Sequence, residues 1–139
     1  MAFVAILCVM AVNAQSWNQK AVEYANELNN LGPVMEQQFS AAGINVKFTS
    51  FYDSTRNELV LDLRFDKSIW NMFNAQGMKV AKQTNVEEYR NNYKTDAEFA
   101  QIIREMKANG AKFRITYSCN DGGKIKSHDF TITPAEIMR

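Results

Sequence analysis

Three residues near the end of the chain carry groups that could react together. Cys119, His128 and Tyr117 supply a thiol, an imidazole and a phenol. A thiol becomes a nucleophile when a neighbouring base or positive field lowers its pKa. His128 is the sole histidine, so Cys119–His128 is the one thiol–imidazole pair that Cys119 can form. Beside Tyr117 it would make the centre of a small hydrolase or thiol enzyme. Asp62 and Asp129 are a second candidate, because two carboxylates held about 5–9 Å apart in a cleft can cleave glycosides. The chain carries no HExxH, CxxC or GxSxG motif and no phosphate-binding glycine loop. One His and two Cys offer no structural zinc set, and neither metal nor cofactor is expected.

A different chemistry comes from residues that parity places on a solvent-facing side. Phe51, Val60 and Ile125 fall there among Lys47, Arg64 and Arg114. Apolar groups rimmed by Lys and Arg resemble a partner-contact surface.

The elements that must position these residues follow from periodicity. Ile44, Val46 and Phe48 alternate with polar residues, as do Leu59, Leu61, Leu63 and Phe65. Such period-two alternation predicts two strands, each with one buried face. The polar cluster at 53–57 joins them as a hairpin. Ala111, Phe113, Ile115 and Tyr117 begin a second hairpin, turning at Asn120-Asp121-Gly122-Gly123 and returning over 124–133.

Each hairpin follows a helical stripe. Trp17, Ala21, Ala25, Leu28, Leu31, Met35 and Phe39 form the first, with a Ser16/Gln19 capping box and a break at Gly32-Pro33. Phe99, Ile102, Ile103 and Met106 form the second, with a capping box read at Thr95/Glu98 and a stop at Gly110. Residues 67–93 are also helical in pattern, with a break expected at Gly77.

At a gapless offset of 67, Gly43 meets Gly110, Val46 meets Phe113 and Asp62 meets Asp129. This predicts an internal duplication, with repeats at about 16–66 and 84–133. The expected fold is α+β: two α-β-β repeats forming a four-stranded antiparallel sheet, with helices packed on one face.

Composition narrows the classes. The chain has 139 residues and a net charge of +1, too even for a binder that neutralises nucleic-acid phosphates. Residues 2–12 form an uncharged apolar run of 11 residues, of signal-peptide length and too short to span a membrane. Cleavage is expected after Ala14, although no basic residue precedes the run. A single domain at 15–139 would remain, exported to the periplasm or secreted, with Cys119 its only thiol and no membrane anchor.

The run Glu27-Leu28-Asn29-Asn30-Leu31-Gly32-Pro33, the strands Val46 to Tyr52 and Glu58 to Phe65, and the stretch Gly110 to Tyr117 with its Asp-Gly-Gly turn carry a resemblance. Together with the Ala-Gln leader ending and Ile132-Thr133-Pro134-Ala135-Glu136-Ile137, they resemble small exported αββ-repeat proteins of Bacteroidetes-type bacteria. The layout is also similar to PepSY-like domains and β-lactamase-inhibitor-like proteins. The resemblance implies binding or inhibition, with no catalytic residue to carry over. The expected function is an exported, non-enzymatic binding or inhibitor-like module that uses the open sheet face to take an unknown protein or envelope ligand. The alternatives are the thiol enzyme above and an assembly subunit pairing edge to edge.

Overall fold

A computed structural model describes residues 16–139. The predicted leader and its cleavage site lie outside the described residues. The first stripe becomes two helices, α1 (Trp17–Asn30) and α2 (Gly32–Ala41), joined at Leu31. Pro33 sits in the first turn of α2, where its missing N–H costs nothing. The Ser16/Gln19 capping box is present.

The hairpin β1 (Val46–Asp53) and β2 (Glu58–Phe65) follows. A single turn, α3 (Lys67–Trp70), leads to the long α4 (Ala75–Thr95) and to α5 (Ala97–Ala108). The break expected at Gly77 lies earlier, at residues 71–74, and Gly77 belongs to the first turn of α4. The second capping box is also displaced. Thr95 ends α4 with its hydroxyl on Asn91 O, and Asp96 caps α5 by accepting from the Glu98 and Phe99 amides. An extended residue with a short carboxylate is the better cap. Strands β3 (Lys112–Asp121) and β4 (Lys124–Ile132) and a last turn, α6 (Pro134–Ile137), complete the chain.

Gly77 is held by close approach. A Cβ there would collide with the Met72 carbonyl oxygen, which is backbone and cannot swing away. In an open helix Gly→Ala gains about 1 kcal/mol. Here Gly77→Ala is expected to lower the urea midpoint, because the clash outweighs the propensity gain.

The fold is α+β, with one open four-stranded sheet in the order β1-β2-β3-β4. The sheet is mixed, which corrects the all-antiparallel expectation. β1/β2 and β3/β4 are antiparallel hairpins, but β2 and β3 run parallel, from Glu58↔Lys112 to Phe65↔Cys119. Alternation reports which face is buried and is blind to a neighbour's direction. The long connection through α3, α4 and α5 can return to either end of the sheet, and here it returns to the start of β2.

The offset of 67 appears in the helix ends. Ile44 N–H reaches Phe39 O, and Ala111 N–H reaches Met106 O, both at 2.9 Å. Gly43 and Gly110 both take positive φ there. The hairpins themselves lie with opposite hand. Seen from the helices with its first strand pointing up, each hairpin places its second strand on the other side from the other's.

The core lies between the helices and one sheet face. Phe48, Leu59, Leu61, Leu63, Phe113, Ile115 and Ile132 bury against Leu28, Met35, Tyr89, Phe99, Ile103 and Met106. The outer edge of β1 is closed by side chains. Asn29 accepts from Ser50 N–H at 2.6 Å and donates to Ser50 O, while Glu36 accepts from Phe48 N–H at 3.1 Å. A further strand cannot add to β1 there without displacing both side chains. Edge pairing is left to β4. Among the described residues no helix is long and apolar enough to cross a membrane.

Candidate binding face

The sheet face away from the helices consists of rows running across the strands. Phe51, Val60, Arg114 and Thr131 form one row. Thr49, Asp62, Thr116 and Asp129 form the next, and Lys47, Arg64, Ser118 and Ser127 the third. Glu58 lies beyond the first row, at the start of β2.

At that end a charged cluster is fixed. Glu58 is only 1% exposed although it is on the open face, because β2 is a central strand. Arg114 Nη2 donates to Glu58 Oε1 at 3.2 Å. It also lies 2.9 Å from Oε2, off the hydrogen-bond direction. Arg114 Nη1 pairs with Asp129 at 3.1 Å. Burial works against the Arg114 charge, but the Glu58 hydrogen bond and the field of Asp129 hold its pKa above the ordinary value.

The third row is fixed differently. Ser118 donates to Asp62 at 3.0 Å and accepts from Arg64 Nε at 3.3 Å. Asp62 and Asp129 flank Thr116 on either side, two strand spacings apart, or about 10 Å along the row. Each is taken up by its own donor, so the face uses them to orient Ser118 and Arg114 rather than presenting them as a pair.

The six predicted surface residues do not make one patch. Phe51 and Ile125 are 52% and 53% exposed, whereas Val60 is buried at 6%. The parallel seam explains the rest. In an all-antiparallel sheet both hairpin turns share one end. Here they lie at opposite ends, which puts Phe51 and Ile125 at opposite corners. Arg114 stays near Phe51, and Lys47 with Arg64 stays at the other end.

Tyr117, Cys119 and His128 share the helix-facing side, with Tyr117 directly opposite His128. They do not form a reactive centre. Cys119 is fully buried, so its thiol has no route to a substrate in this fold. His128 is exposed, its ring stacked on Trp70 at 5.0 Å and 10°. Tyr117 is half-buried and turns to a cleft shared with Phe39, Leu63, Asn85 and Ile115. Its hydroxyl receives Asn85 Nδ2 at 3.4 Å, and burial raises its pKa. Among the described residues no group of three or more His, Cys, Asp or Glu could hold a metal ion.

A cleft of about 230 Å³ at the far end of the face has no signal in the alternation pattern. Lys47, Arg64, Lys67, Asn45, Asp66 and Asn120 line it, with Val46 and Phe65. Lys67 enters through α3, whose position alternation does not report. Behind it, Asp121 receives Lys67 and Lys126, both at 2.8 Å. Hydrogen bonds from Lys126 and then Lys67 lower the Asp121 pKa from 3.8 to about 2. A carboxylate with a depressed folded-state pKa stabilises above its unfolded value and loses that contribution as pH falls. The stability gap between wild type and Asp121→Asn is therefore expected to close as pH drops from about 4 to about 2. Urea midpoints measured across that window check it.

Compared with models of known families, with curated proteins and with solved structures, the chain has no match. The functional reading rests on the geometry of this face.

Proposed function

We propose that the protein is an exported, non-enzymatic binding module that engages its partner through the open sheet face. The observation that carries this is a one-sided sheet whose bare face holds its arginines in place. Arg114 is locked by Glu58 and Asp129, and Arg64 rests on Ser118. Pre-oriented charges lose little entropy on binding. Phe51, half exposed in the same row of the face as Arg114, is the apolar anchor.

The test compares two exposed positions on opposite sides of the domain. Phe51 on the open face and Val34 on α2 are both 52% exposed. With the immobilised domain and envelope extract, Phe51→Asp is expected to abolish partner capture and Val34→Asp to leave it intact. Capture that survives Phe51→Asp and fails with Val34→Asp would overturn the reading.

A further inference from the structure

The strongest unexplained feature of the open face is a pair of like charges. Lys47 and Arg64 stand directly opposite each other in the β1/β2 ladder. Like charges in that position destabilise a sheet. Neither is closely compensated. Glu36 lies 3.9 Å from Lys47 with its other oxygen on the Phe48 amide, and Asp62 lies 3.9 Å from Arg64 while accepting from Ser118.

Both cations line the 230 Å³ cleft, and Lys67 lines its other wall. Asn45 and Asn120 add amide groups. One carboxylate, Asp66, also lines it, and its Oδ1 accepts from Asn45 at 3.5 Å. Glu36, Asp62 and Asp121 stand outside the lining, and Asp121 shares the Lys67 ammonium at 2.8 Å, which leaves that ammonium two further donors.

We propose that this cleft binds an oxyanion group, a phosphate or a carboxylate, bridging Lys47 and Arg64 with Lys67 as the third contact. Arg presents a planar fork to such a group and Lys a point charge. A bound anion would relieve the repulsion between Lys47 and Arg64. This deepens the open-face reading and rests on it.

The test titrates inorganic phosphate and, separately, a triglutamate peptide into the domain, with sodium chloride at matched ionic strength as control. Thermal midpoint and calorimetry are the readouts. At least one of the two anions is expected to raise the midpoint above the chloride control, and the affinity should fall with salt. A phosphate response without a peptide response assigns a phosphate group, and the reverse assigns a carboxylate. Lys47 is largely exposed, so Lys47→Thr keeps the fold. It is expected to weaken anion binding at least tenfold and to raise the midpoint of the anion-free protein. Midpoints that match chloride for both anions, or an unchanged affinity in Lys47→Thr, overturn the proposal. If those fail while capture still depends on Phe51, only the anion site falls.

Discussion

Arg114→Leu is expected to lower stability by about 3 kcal/mol at neutral pH, the cost of leaving a buried charge without its partner. Glu58 is 1% exposed and Arg114 is its one ion-pair partner among the described residues. Arg114 is itself 21% exposed, which places the loss at the low end of the range for buried pairs. The double variant Glu58→Leu/Arg114→Leu should return most of that stability, since an apolar pair of similar volume escapes the desolvation cost. Asp129→Asn should cost under about 1 kcal/mol, because that carboxylate is 47% exposed and well screened. Urea unfolding of wild type and these three variants checks the three differences. A double variant as unstable as Arg114→Leu would mean that the loss lies in packing and not in the orphaned charge.

The second large effect lies across the sheet. Phe65→Ala is expected to cost about 3–5 kcal/mol. The ring is 6% exposed and is a hub, with centroids 4.8 Å from Phe73, 5.5 Å from Tyr117 and 5.9 Å from Phe39. It ties α2, the segment after α3, and β3 to the end of β2. Losing it leaves a cavity bounded by three other elements that cannot all collapse inward. Phe51→Ala removes the same side chain from the opposite face, at 52% exposure, and should change stability by no more than about 0.5 kcal/mol. Denaturant midpoints for the two variants decide it, and equal losses would show that the open face is packed rather than free.

Much of the fold was legible because its signals are local. Ser16 and Gln19 are three residues apart, and their reciprocal bonds form in any helix begun there. Gly32-Pro33 ends one helix and starts another within the span of a turn. Leu59, Leu61, Leu63 and Phe65 announce a buried strand face, and all four are buried. The misses on the sheet share one cause. Val60 reads as outward-facing and is so placed, yet it is buried by the strands on either side of β2, as is Glu58 on the same face. Cys119 and His128 read as neighbours and lie on adjacent strands, but the thiol is sealed and the imidazole is not. Exposure depends on what packs over a residue, and that partner is distant in the chain.

By itself the sequence determined the strands and the main helices, the cap of α1 and the face on which each strand residue stands. Steric and hydrogen-bonding rules acting over a few residues suffice for that. Only the tertiary structure decided the direction of β3 beside β2. That choice brings Arg114 to Glu58, parts Phe51 from Ile125, and leaves Lys47 and Arg64 at the end where α3 adds Lys67. The physical reason is that alternation is the same for parallel and antiparallel neighbours. The pairing is set by where the long helical connection buries its apolar stripes, which is a balance over the whole core.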